Sequence, residues 1–291
     1  MADVSLTDLQ YQVLSFVSTH PKAGRLAIKN GLADGESARG RKSGKKVEAV
    51  AIWNPWHGCH KISAGCANCY MFRSDSGRDI DSNTVRKTSS FNRPVSRDKY
   101  GSYKLKSGAE VGLCFTSDFL IDEADKWRDE AWDMIRERFD LNFLFITKRI
   151  NRLADVAPDD WGDGYDNVAI GCTCENQEMA DKRLPVFLSF PIAERYIICE
   201  PLLGPIDLKE YLLPEKISEV IVGGESGNEA RVCDYDWVFD IRNQCIEAGV
   251  DFSFHQTGAR LRKNGKVYRI LRRHQHSQAK KAAITFRRKK V

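Results

Sequence analysis

The chain has 291 residues, 42% of them hydrophobic and 29% charged, so it can bury a sizeable core as one barrel-sized domain or two small ones, and a disordered or collagen-like polymer is excluded. Its net charge of +5 hides an asymmetry: residues 260–291 carry thirteen Lys or Arg and no Asp or Glu, which leaves −8 for residues 1–259 (5 − 13). No apolar stretch approaches the roughly 20 residues of a membrane span and no secretory leader is visible, so a cytoplasmic protein without a membrane partner is expected.

Residues 5–20 predict a short amphipathic helix, with Leu6, Leu9, Val13, Phe16 and Val17 at helical spacing and Pro21 as its stop. Residues 34–46 are rich in Gly, Ser, Lys and Arg and read as a flexible linker, so residues 1–46 form an extension ahead of the main domain. From residue 47 onward, short apolar runs bounded by turn residues recur at 47–53, 111–115, 143–147, 168–172, 196–199, 220–222 and 252–254. Each predicts a buried strand. Helical patterns lie between several of them. The clearest are 122–139, with Trp127, Ala131, Met134 and Ile135 inward, and 236–248, with Trp237, Ile241 and Cys245 on one face and Gly249 as the stop. Strand alternating with helix predicts an α/β fold on a parallel sheet. About seven strands, with no GxGxxG after the first, favour a partial or near-complete (βα) barrel over 47–258.

Nine cysteines in a reducing compartment read as ligands, nucleophiles or small core residues, and spacing sorts them. Six are isolated or sit in apolar runs. Cys59, Cys66 and Cys69 share one polar loop, WNPWHGCHKISAGCANCY at 53–70, directly after the first predicted strand. Soft, anionic thiolates suit iron or zinc, and a Cys-x2-Cys pair brings two sulfurs to one site from a tight turn. Three thiolates leave one iron of a four-iron cluster open for a ligand, whereas a structural zinc wants a fourth protein ligand, for which His57 and His60 are the candidates. The ligand count favours the cluster and leaves zinc open.

In a (βα) barrel the active site lies at the C-terminal strand ends. The residues there are Thr116, Ser117 and Asp118; Lys148 and Arg149; Glu175 and Asn176; Glu200; Gly223, Gly224 and Glu225; then His255 and Gln256. They bind a ligand, or Glu200 and Glu225 pair with Lys148 and Arg149 in a structural network. Cys172, Cys174 and Cys199 read as core residues ahead of ligands for a second cluster, Trp53 and Trp56 as packing, and His255 as a hydrogen-bonded barrel residue.

The loop WNPWHGC…GCANCY, followed in order by FLFITKRI, CENQ, CEPLLGPIDL and VIVGGESG, resembles the phage-type three-cysteine-motif proteins, which look like divergent radical S-adenosylmethionine enzymes. The resemblance covers roughly 47–258. It implies a barrel of the radical-enzyme type and a 4Fe-4S cluster on Cys59, Cys66 and Cys69 whose open iron binds S-adenosyl-L-methionine. An electron donor feeds the cluster, and the cleaved cofactor supplies a deoxyadenosyl radical that abstracts hydrogen from substrate. It also implies Asp118 near the cofactor's amino group, Glu175 near its ribose hydroxyls and Gly223, Gly224 and Glu225 near its adenine. Glu200 joins this cofactor-binding set as the carboxylate after the fifth run.

Residues 259–291 form a basic C-terminal segment. Arg262, Lys263, Arg272, Arg273, Lys280, Lys281 and the run 287–290 are interleaved with Tyr268 and Phe286. They read as a nucleic-acid contact or as a solvated tail. Three function classes remain: a radical enzyme acting on a nucleic acid, a nucleotide or another substrate; a zinc-stabilised nucleic-acid-binding protein without catalysis; and an interaction module on an inactive barrel.

Overall fold

A computed structural model of the chain describes residues 51–289; the helix expected over 5–20, the linker over 34–46 and the start of the first strand lie outside the described residues. The strands are β1 (Ala51–Trp53), β2 (Trp56–His57), β3 (Arg86–Lys87), β4 (Glu110–Leu113), β5 (Asn142–Thr147) and β6 (Val168–Thr173), then β7 (Glu194–Cys199), β8 (Ile217–Gly223), β9 (Cys233–Asp234), β10 (Asp251–Gln256), β11 (Arg260–Lys263) and β12 (Lys266–Arg269). The α-helices are α1 (Tyr70–Ser76), α2 (Asp125–Glu137), α3 (Leu153–Val156), α4 (Gln177–Ser189), α5 (Tyr235–Ala248) and α6 (Arg272–Lys281).

Seven strands form one sheet in the order β1-β4-β5-β6-β7-β8-β10, and every neighbouring pair is parallel. Spatial order therefore follows chain order, and all seven C-terminal ends lie along one edge. A dinucleotide-binding sheet would reverse its order partway. β1 and β10 stand at opposite ends of the strand order, so the architecture is an α/β parallel sheet flanked by helices.

Both faces of the sheet are covered, which explains why its strands read as continuous apolar runs. One face packs under the helices around fully buried Trp53, Phe119, Trp132 and Phe145. Trp132 meets Phe119 edge-on at 4.9 Å and Trp161 at 5.3 Å. The other carries a smaller cluster of Leu144, Tyr196, Ile198 and Ile221, with Ile146 against it. A Cβ on Gly171 would lie 2.9 Å from Ile198 and 3.1 Å from Ile146, so this cluster leaves no room for a side chain there.

In α2, Ala131, Met134 and Ile135 are buried as expected, Trp127 is half-buried, and Trp132 is the principal anchor. Helix α5 starts at an Asp234 cap, which accepts from Asp236 N at 3.0 Å, and ends on Gly249 at φ 69°. Helix α4 has no clear sequence pattern because Pro185 lies inside it. Asn176, a strand-end candidate, is its N-cap and accepts from Met179 N at 3.0 Å.

The basic C-terminal segment is not a solvated tail over its described length. β11 and β12 form an antiparallel hairpin, β11 pairs with β9, and α6 packs on β10. Phe286 exchanges two backbone hydrogen bonds of 3.0 Å with Phe252 and so covers the free edge of β10. Arg287 reaches buried Glu219 at 2.9 Å, and Arg288 N donates to buried Asp251 at 2.9 Å. Deleting residues 282–291 is expected to lower stability by about 2–4 kcal/mol, through loss of buried Ile284 and of the partner of Glu219. Urea unfolding measures this; an unchanged midpoint would return the segment to a tail.

Candidate functional site

The cysteine loop leaves β2 through Gly58, whose φ of +102° and a virtual Cβ 2.4 Å from Thr84 O admit no other residue without strain. Cys59 N then donates to Ser82 O at 2.8 Å, Ala64–Cys66 form a 3-10 turn, and Cys69 caps α1 with its N–H donating to Cys66 O at 3.3 Å. Cys66 and Cys69 are thus one turn apart. The two histidines of the loop already hold carboxylates: His57 Nε2 lies 2.7 Å from buried Asp75, and His60 pairs with Glu123.

Three carboxylates from alternate strand ends hold this loop near its three cysteines, two directly and Asp118 through Arg149. After β4, buried Asp118 accepts from Thr147 Oγ1 at 2.8 Å, Lys148 N at 3.1 Å and Arg149 Nη1 at 3.3 Å. The same guanidinium donates to His60 O at 2.9 Å and lies 3.7 Å from Cys59 Sγ. After β6, fully buried Glu175 accepts from Gly65 N at 3.0 Å and from Arg183 of α4 at 2.8 Å. After β8, Glu225 accepts from Asn68 Nδ2 at 2.9 Å and from Arg231, which also donates to Ala64 O at 2.9 Å. Burial opposes ionisation of Glu175 and Glu225, yet their donors and cations hold both carboxyls below the ordinary range.

A cavity of about 200 Å³ opens against the inner side of the loop. Cys59, Cys66, Cys69, Asp118, Glu200, Gly224 and Glu225 all line it. Glu175 and Gly223 do not: Glu175 lies behind Gly65, and a Cβ on Gly223 would meet the Glu200 carboxyl at 2.6 Å. Gly224 makes room for backbone, since a Cβ there would lie 2.3 Å from Thr257 O.

The expected network between Glu200, Glu225, Lys148 and Arg149 does not form. Arg149 pairs with Asp118, Glu225 with Arg231, and Glu200 with His255 Nδ1 at 2.7 Å and with Gln256. Burial opposes ionisation of Glu200, and the His255 and Gln256 contacts hold its carboxyl low. Behind this pair, burial and the His255 charge push His276 down to about 4. Among the described residues, two buried side-chain polar atoms lack any hydrogen-bond partner, Thr173 Oγ1 and His255 Nε2. Both residues line this cavity. Both atoms are left to be met by water, an ion or a polar ligand.

Burial, backed by the Asp118 charge, pushes the Cys59 thiol up to about 11 while Arg149 pulls it down. Among the described residues, no three His, Cys, Asp or Glu side chains converge to hold a metal ion. Cys172, Cys174 and Cys199 are buried core residues that do not line the cavity. Trp56 stacks on Phe119 at 5.1 Å and is packing, as expected. Sequence reasoning missed Asn68, Arg73, Arg183 and Arg231. Arg73 ties Asn68 O at 2.6 Å to Ser226 O at 2.7 Å. It also missed Thr173 and Cys114, a cavity residue in the left-handed region at φ 61°.

A family model described as "Protein of unknown function (DUF5131)" matches residues 46–287, and the chain belongs to that family. The match begins at the expected linker boundary and runs through the basic segment that packs on β10. Among curated proteins and solved structures, nothing matches the chain.

Alkylation by iodoacetamide needs a thiolate, so Cys59 in metal-free protein is expected to react slowly near neutral pH and faster as pH climbs toward about 11. Asp118→Asn removes the charge that raises it and should shift the profile down; Arg149→Gln should shift it up. Peptide mass spectrometry across pH reads both, and a Cys59 profile unmoved by either change would break the proposed contact.

Proposed function

We propose that this chain is an iron–sulfur enzyme of the radical S-adenosylmethionine type on a partial (βα) barrel, with a 4Fe-4S cluster on Cys59, Cys66 and Cys69. The observation that carries the reading is the placement of three thiols, each in its own clamped stretch of loop, on one cavity at the C-terminal edge of a parallel sheet. Three further features support it. Three soft thiols brought by one loop to one cavity suit a cluster that leaves one iron open. The orphan Thr173 and His255 atoms leave two positions on the wall for a polar ligand. The segments on which the resemblance to the three-cysteine-motif proteins rests, 143–150, 174–177, 199–208 and 220–227, lie at the same edge.

When bound, the cluster and S-adenosylmethionine would together supply one-electron cleavage and hydrogen-atom abstraction. The chain's own residues have separate duties. Arg149 favours the Cys59 thiolate, Glu175 and Glu225 fix the loop on which the other two thiolates sit, and Ile146, Ile198 and Ile221 keep the cavity floor dry. Asp118 and Glu225 act on the cofactor chiefly through the loop. Glu200 orients His255, leaving its Nε2 for a ligand. Exposed Lys61 and Ile62 mark the outer face of the loop, where an electron donor would approach.

Anaerobic reconstitution tests the reading. The expected protein is brown, with broad absorbance near about 400 nm and roughly four irons, and releases deoxyadenosine and methionine when reduced with S-adenosylmethionine. Cys59→Ala, Cys66→Ala and Cys69→Ala each lose the iron, while Cys233→Ala and Cys245→Ala, both core positions, keep it. Glu175→Gln should weaken iron binding by about 10–100-fold through the loop. A colourless protein containing zinc, or iron surviving loss of any one of the three cysteines, would contradict the assignment.

A further inference from the structure

The β11–β12 hairpin is the most cationic exposed feature next to the cavity. Residues 259–273 contain seven Lys or Arg and no Asp or Glu. Arg262 is matched by Asp234 at 2.6 Å, but no carboxylate among the described residues is within ion-pair distance of exposed Lys263, Lys266, Arg269 or Arg273. Every residue of β12 is exposed, and Val267, Tyr268 and Leu271 leave 47%, 44% and 63% of their surface in water. An aromatic ring held between cations on an open strand is unusual as a merely solvated face, because the exposed apolar area costs free energy that a polar residue would not.

Both feet of the hairpin stand on the cavity. At its start, Gln256 lines the cavity and Ala259 N donates to Glu225 O at 2.8 Å. At its end, Ile270 N donates to Ala259 O at 2.9 Å, and Arg272 Nη1 donates to Gln256 Oε1 at 2.7 Å. Arg260 reaches Asn228 O at 3.0 Å, in the loop that follows Ser226 of the cavity wall. A polymer lying along the hairpin therefore ends at the cavity mouth.

We propose that this hairpin is a docking strip for single-stranded nucleic acid, which it leads toward the cavity; the delivery step rests on the proposed enzyme activity, the binding does not. Lys263, Lys266, Arg269 and Arg273 neutralise phosphates, and Tyr268, with Lys266 Nζ 5.3 Å from its ring centroid on one face, offers the other to an unstacked base. Single-stranded nucleic acid is favoured over duplex because stacking on an exposed aromatic ring needs an unstacked base, and because a base must leave its stack to reach the cavity. Arg287 and Arg288 do not share this role. They are committed to Glu219 and Asp251, and Phe286 to Phe252.

Fluorescence anisotropy of labelled oligothymidylate with full-length protein, before and after iron loading, tests this directly. Binding is expected at low salt in both forms. The double change Lys266→Ala with Arg269→Ala should weaken it about tenfold and flatten the slope of log affinity against log salt by about 1.4, two cations at about 0.7 each. Tyr268→Ala should weaken it by about tenfold as well. Lys104→Ala with Lys106→Ala, exposed lysines elsewhere, should change nothing. Absence of binding, tighter binding of duplex or of oligoglutamate, or equal loss in the Lys104 and Lys106 control would overturn the proposal. So would hairpin variants that aggregate while binding normally, since the cations would then only guard an edge strand. Because the metal-free protein is included, failure of the cluster reading leaves this result independent.

Discussion

The structure depends most on how a loop with little apolar burial is held still. Asp118, Glu175 and Glu225 follow β4, β6 and β8, alternate strands of the sheet; Glu175 and Glu225 reach the cysteine loop directly and Asp118 through Arg149, each at a different stretch. Gly65 leaves room for one of these contacts, because a Cβ there would lie 2.9 Å from the carboxyl carbon of buried Glu175. Lys61 and Ile62, midway between clamps, are exposed. Polar contacts rather than hydrophobic packing therefore set where the three thiols stand.

Such clamps are worth much only away from water. Glu175 is fully buried and its Arg183 partner is 6% exposed, so the pair carries a desolvation cost that good geometry and the Gly65 amide offset. Removing one member would leave a buried charge, a loss of about 3–5 kcal/mol. The sequential order of the sheet makes this arrangement possible, because every strand delivers its end to the same edge. The intervening strands then supply the rest of the cavity: Lys148 and Arg149 after β5, Glu200 after β7 and His255 within β10.

Much of this framework was legible in the sequence. Parallel strands buried on both faces leave apolar runs, and of the polar residues just beyond them Ser117, Asp118, Lys148, Arg149, Glu200, Gly224, Glu225, His255 and Gln256 line the cavity, whereas Thr116, Glu175, Asn176 and Gly223 do not. Their partners were not legible. Glu175 meets Gly65 across 110 positions and Glu225 meets Asn68 across 157, and no local pattern encodes such distances. Helix α4, which supplies Arg183, is obscured by Pro185, so the cation that steadies Glu175 was hidden with it. The basic end misleads for a related reason: composition counts the charge of Arg287 but not Glu219, 68 positions away, which absorbs it.

The central claim is that the clamped loop presents a cluster with an open iron to the cavity. Electron paramagnetic resonance of the reduced, iron-loaded protein, recorded with and without S-adenosylmethionine, tests it most directly, because a ligand on the open iron changes the signal of the cluster. The account requires a four-iron signal that shifts when the cofactor is added and that Glu175→Gln broadens or loses. A four-iron signal indifferent to the cofactor, or no iron signal at all, would contradict it.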